Sequence, residues 1–225
     1  MADSQTELKN KAIGLSSPAF EAFCDDISGM FGIEMKCAQK EAAVYTIKEV
    51  SQKFKKLAAV TNVHSEGVLK GNFHIVFDQA GLFTLGGIII MLPRQRIIDS
   101  VKRGTAADAE GLFDTIKESG NLLVGSWDRI FREEMQGHGH FLQSNTYIGN
   151  PWDNPQQKLG LAQTEQFSFV SYQISIDGYS PFMCGVIFPE AIFASPPQTP
   201  QVHESKSEDK EPTEIENTEQ ETTLA

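Results

Sequence analysis

Residues 105 to 135 read TAADAEGLFDTIKESGNLLVGSWDRIFREEM. Thr105 and Asp108 have the side chains that cap a helix start, and beyond them Phe113, Ile116, Leu123, Val124, Trp127, Ile130 and Phe131 recur along one helical face. The spacing predicts a single long helix from about 106 to 135 with one buried stripe. At about 100° per residue, Asp114, Glu118, Asn121 and Gly125 fall almost opposite that stripe, as a polar ridge facing water. Glu118 and Asn121, three positions apart, are surface neighbours. Gly120 and Gly125 each cost a helix interior about 1 kcal/mol relative to alanine. An exposed helix accepts that cost where another protein's backbone must come close.

Downstream, Phe167 to Ile176 and Met183 to Phe188 read as strands joined by a turn at Asp177, Gly178 and Ser180. Between the helix and these strands, residues 136 to 160 hold Gly, Asn and Pro clusters and read as a long loop with a short strand near Phe141 to Tyr147. Upstream, Ser17 and Pro18 suggest a helix start, followed by Phe20, Phe23, Ile27, Met30 and Phe31 on one stripe, a helix over 17–31. A mixed stretch leads to Ile47, Val50, Phe54 and Leu57, read as a short helix. Strand-like runs follow at Ala58 to Val63 and Val68 to Phe77. Ala80 to Leu92 is a helix apolar nearly all round and therefore buried, ended by Pro93. The fold class is α+β, antiparallel strands packed against long helices.

The two best helices overlay with a shift of 97 residues, which sets Ser17 on Asp114, Glu21 on Glu118 and Cys24 on Asn121. FDQAGLF at 77–83 echoes FPEAIF at 188–193, a shift of 111. The difference predicts about fourteen extra residues in the second half, placed in the 136–160 loop. Two echoes in the same order suggest one pseudo-two-fold domain made of related halves.

The chain has 225 residues and a formal charge of −11, with no run of Lys and Arg, which excludes nucleic acid as the main partner. No apolar stretch is long enough to span a membrane and the N-terminus has no apolar signal core, so membrane insertion is not expected and a cytoplasmic location is. Cys24, Cys37 and Cys184 lack paired spacing, so they are expected to be reduced, mostly buried thiols with no metal role. Residues 194–225 hold eight acids against two lysines and no aromatic, net −6. They cannot bury enough apolar area to offset their ordering entropy and are expected to be a disordered acidic tail. The division expected is thus a polar segment at 1–14, a folded domain at 15–193 and the tail.

A carboxylate beside an amide on an open helix can pair with a partner's lysine and orient one water, which is catalysis by positioning. At these residues the chain resembles a known family. DTIKESGN at 114–121 fits the pattern Asp/Ser, three residues, Glu, two residues, Asn of the CheC, CheX and FliY phosphatases of bacterial chemotaxis, and GNFHIVFDQAGLFTLGGIIIMLP at 71–93 resembles that family's strand-to-helix stretch. The likeness covers about residues 15 to 193. It implies a CheC/CheX-like domain that hydrolyses the aspartyl phosphate of a phosphorylated CheY-like response regulator. By position, Glu118 would pair with the regulator's lysine and Asn121 would orient the water. Asp114 and Gly125 would be binding positions. The chain would need no cofactor of its own, since Mg²⁺ would sit on the partner's receiver domain. Ser17, Glu21 and Cys24 would form a degenerate second site, because a thiol cannot donate and accept as an amide does. The pattern's following Pro is absent from 143–145, where Gln, Ser and Asn stand; Pro151 comes seven residues later. The alternative is a non-catalytic binding or adaptor module of the same fold in chemotaxis or the flagellar switch. Either reading is compatible with a homodimer.

Other groups carry less. His138 and His140 in QGHGHF alternate without an evident third ligand and read as a glycine-rich surface turn. No GxGxxG or GxxxxGK[ST] occurs, so no phosphate-cradling loop is expected. Trp127 reads as core and Trp152 as an exposed contact residue.

Overall fold

The computed structural model describes residues 2–54 and 57–194. The elements in order are α1 (Ala2–Phe31), β1 (Met35–Thr46), α2 (Ile47–Lys53), β2 (Ala58–Gly67), β3 (Gly71–Asp78), α3 (Gln79–Ile89), α4 (Arg94–Arg103), α5 (Ala106–Glu110), α6 (Phe113–Glu134), β4 (His138–Gly149), α7 (Pro155–Leu159), β5 (Gln166–Ile176), β6 (Phe182–Pro189) and a 3-10 turn (Glu190–Phe193). The expected acidic tail lies, apart from Ala194, outside the described residues. Among the described residues no helix is long and apolar enough to cross a membrane.

The strands make one antiparallel sheet in the order β1-β5-β6-β3-β2-β4. Exchanging β1 with β4, β2 with β5 and β3 with β6 returns the same order, so the fold is a pseudo-two-fold whose axis runs between β3 and β6, and the echo of 77–83 in 188–193 follows it. The expected fourteen-residue insertion is not one loop. The shift between equivalent elements is 103 at the helix ends and at β1/β4, 108 at β2/β5 and 111 at β3/β6, so the helix overlay at 97, which sets buried Cys24 on exposed Asn121, is not kept.

Period-two alternation divides the sheet's side chains between two cores. Phe73, Ile75, Phe77, Val170, Tyr172, Ile174, Val186 and Phe188 face α1, α3 and α6, while Val60, Val76, Phe167, Phe169 and Ile187 face a smaller cluster under α2 and α7. The central strands are buried on both sides and read as continuous apolar runs. The edge strands β1 and β4 are largely exposed. That exposure is why β1 looked merely mixed in sequence and why β4, dense in Gly and Asn, looked like a loop.

Several expectations are corrected. The first helix starts at Ala2 rather than Ser17, with Pro18 inside it. Leu8, Ala12, Ile13 and Leu15 extend its buried stripe upstream, and Lys9 pairs with Glu190 at 2.6 Å, so the polar lead-in is half of a helix. The predicted helix over 106–135 is two: Thr105 and Asp108 form a capping box for α5, and the chain turns at Gly111 before α6 begins. α4, amphipathic but rich in Arg, had no counterpart in the sequence reading. Trp152 is not an exposed contact; it is 9% exposed and its ring lies 6.4 Å from Phe54 in the smaller core.

His74 of β3 is buried, with Nδ1 2.7 Å from the accepting Oδ1 of Asn62 on β2. Burial pushes its pKa down to about 4 from an ordinary 6.5. A histidine kept neutral by the fold contributes stability that is present above the unfolded pKa and is lost as pH falls from 6.5 toward 4. Urea unfolding should therefore show a loss of about 3 kcal/mol across that window from this residue. His74→Gln keeps a donor for Asn62 without titrating, so its profile should be flatter; equal slopes in the two proteins would refute the assignment.

Candidate functional site

α6 lies beside α1 on the sheet. Ser126 Oγ donates to Asp26 Oδ2 at 2.7 Å and Arg129 pairs with the same carboxylate at 3.0 Å, which fixes the two helices side by side. Underneath, α6 sits close to the sheet at Gly120: a Cβ there would come within 2.9 Å of both Gln143 Oε1 on β4 and Thr61 Oγ1 on β2. This glycine thus serves the chain's own packing and not a partner's approach. Gly125 is the opposite case, with open space around it on the outer face.

Asp114, Glu118, Asn121 and Gly125 all lie exposed on that outer face, as their spacing predicts. Asn121 Nδ2 is 3.5 Å from Glu118 Oε2, so the amide and carboxylate stand side by side with at most a weak mutual hydrogen bond. Both keep spare capacity: the carboxylate can accept from a cationic donor, and the amide can donate to and accept from one water. Flanking them are two apolar side chains in solvent, Phe113 at 38% and Leu122 at 37% exposure. Phe113 belongs to the predicted buried stripe, but it opens α6 and projects past the core. Leu122, adjacent to the motif's Asn, carried no signal in the sequence.

One turn past Gly125, Asp128 anchors the neighbouring edge strand. Its Oδ1 accepts from His138 Nε2 at 2.9 Å and from the Phe141 amide at 2.7 Å, and its other oxygen pairs with Arg132. Burial works against ionisation here, but the His138, Phe141 and Arg132 donors together hold the Asp128 carboxyl below its ordinary range. His138 is therefore a buried link between α6 and β4 rather than part of a surface turn, whereas His140 is partly exposed.

The degenerate half looks different. Glu21 is exposed, but Ser17 Oγ donates to Gln39 Oε1 on β1 at 2.9 Å and Cys24 is buried at 2% exposure. The structure does not bring these residues together as an exposed acid and partner.

This sheet, with the helices packed on it, has the fold of the FliY and FliM domains. FliY from Thermotoga maritima matches with a TM-score of 0.65 and 15% identity over 83% of this chain and 92% of that one. The FliM-SpeE complex from H. pylori matches at 0.59 and 12% identity, covering 86% and 94%, and the FliG-FliM complex from H. pylori at 0.56 and 14%, covering 83% and 97%. At such identities the likeness establishes the fold alone. No protein-family model matches the chain, and no curated protein does.

Proposed function

We propose that the chain is a phosphatase that hydrolyses the aspartyl phosphate of a CheY-like response regulator docked on the outer face of α6. The observation that carries this reading is the exposed pair itself: Glu118 and Asn121, in the spacing of the phosphatase motif, stand next to each other with nothing covering them. An open convex helix cannot enclose a substrate, so it acts by completing a pocket on another molecule. Glu118 pairs with the receiver's lysine. The Asn121 amide holds a water in line with the phosphorus; the water's oxygen forms the new P–O bond as the bond to the receiver's aspartate breaks, and inorganic phosphate leaves. Mg²⁺ in this reading belongs to the receiver and neutralises the phosphoryl oxygens there. One exposed pair means one working site per chain, so dimerisation is not required. Such a partner places the protein in the cytoplasm.

The adaptor reading is favoured by a separate observation: Phe113 and Leu122 give the same face apolar grip, and the FliM neighbours are described in complexes with SpeE and FliG. A turnover assay separates the two. A receiver domain phosphorylated with acetyl phosphate and Mg²⁺ should lose its phosphoryl group faster in the presence of catalytic amounts of the protein. Unchanged decay with demonstrable binding would leave the adaptor; unchanged decay without binding would remove both readings.

A further inference from the structure

α3 is flanked by α6 on one side and α4 on the other. Gly86 faces α6, where an added Cβ would lie 3.4 Å from Ile116 Cδ1, and Gly87 faces α4, where it would lie 2.6 Å from Ile97 Cγ1. Thr84, three residues before Gly87, shares its side of the helix. The turn between β5 and β6 closes the end of this seam, so that Thr84, Ile98, Val101, Lys102, Tyr179 and Ser180 line one open cleft. Arg94 holds the outer wall: its guanidinium lies 5.8 Å over the Tyr179 ring and its Nε donates to the Gly178 carbonyl at 2.8 Å.

Two of the lining groups have no purpose in the packing. Thr84 is 1% exposed, yet its hydroxyl has no hydrogen-bond partner among the described residues. An unpaired buried hydroxyl weakens a fold, and a valine would fill the same space without it. Lys102 pairs with no carboxylate among the described residues, and it belongs to a helix in which Arg94, Arg96, Lys102 and Arg103 face a single acid, Asp99. In a chain of net charge −11 this helix is a local positive field. The rest of the lining, Ile98, Val101 and the Tyr179 ring, is apolar.

We propose that this cleft binds a short-chain carboxylate. The acid's oxygens accept from the Thr84 hydroxyl at the floor and from the Lys102 ammonium and Ser180 hydroxyl at the exposed rim, and its alkyl chain lies on Ile98, Val101 and the Tyr179 ring. One lysine matches one negative charge. The cleft measures about 270 Å³ with its open mouth counted, below the roughly 300–1,000 Å³ of pockets that take drug-sized molecules, so the ligand is small. Inorganic phosphate fits less well, because it would set charged oxygens against the apolar wall. The cleft lies across α3 from the α6 ridge, and the proposal does not depend on the phosphatase reading.

The test is an amide NMR titration of the full-length protein with sodium butyrate at fixed pH and ionic strength. The expected result is saturable shifts at Thr84, Lys102 and Tyr179 with a half-point of about 1–10 mM, the range a ligand this small reaches. Butyramide, of the same shape but uncharged, should need at least about tenfold more, as should butyrate itself with Lys102→Met, which keeps the apolar stem and removes the charge. Thr84→Val should weaken butyrate by about threefold or more. The proposal is overturned if the shifts match those of sodium chloride, rise without saturating or fall on other residues. It is equally overturned if butyramide or inorganic phosphate binds as well as butyrate, or if either folded variant binds butyrate as tightly as the wild type. The wild-type titrations decide the matter even if a variant fails to fold.

Discussion

Asn121→Ala should slow receiver dephosphorylation by about a hundredfold while shifting the receiver concentration at half-maximal rate by less than about threefold. The amide's task in the proposed mechanism is to hold one water on the line of attack, using a donor and an acceptor at once. Alanine removes both, but touches nothing that binds the receiver. Glu118→Ala should show the opposite split, raising the half-saturating receiver concentration by about tenfold, because its loss leaves the partner's lysine unpaired at an exposed interface. Steady-state kinetics with a phosphorylated receiver read both numbers. If Asn121→Ala turns over like the wild type, the water is positioned by something else.

Trp127→Ala should lower the unfolding free energy by about 3–5 kcal/mol. Trp127 is fully buried where α6 meets the sheet and α1. It stacks on Phe131 and Phe73 with ring centroids 5.7 Å away in each case, and meets the edge of Phe20 at 5.1 Å. Removing it opens a cavity between helices that the Asp26 and Asp128 contacts keep in place, so collapse is limited. Its indole Nε1 has no hydrogen-bond partner. Trp127→Phe consequently gives up volume but no polar contact, and should cost about 2 kcal/mol or less in urea unfolding. A Phe variant as unstable as the Ala variant would show that the indole N–H has a partner after all.

The exposed ridge was legible because it needs only helical periodicity: once Ile116, Leu123 and Trp127 face inward, Glu118 and Asn121 must face out. The pseudo-two-fold was legible from the echo of residues 77–83 in 188–193, whereas the helices' own overlay at 97 is out of step with their ends, which lie 103 apart. What stayed hidden depends on tertiary context. β4 carries Gly139, Gly149, Ser144 and Asn145, a turn-like composition, yet pairing with β2 makes it a strand. Pro18 reads as a helix start, and only the packing of residues 8–15 shows that the helix continues upstream of it. Gly120 and Gly125 are not alike: helical spacing sets Gly120 in line with Ile116, Leu123 and Trp127, and only the identity of its neighbours, Thr61 and Gln143 on other strands, depends on the fold.

The sheet order also constrains how the chain is made. β1 is held by β5 and β4 by β2, so each half hands its outermost strand to the other, as in a swapped dimer fused into one polypeptide. During synthesis, residues 35–46 wait for residues 166–176 before their backbone finds a mate, leaving a long unpaired edge until those residues have been made. Neither half is a separable module. Any deletion meant to isolate the half that carries the ridge on α6 from the half that carries α1 would strip a strand from the half it meant to keep.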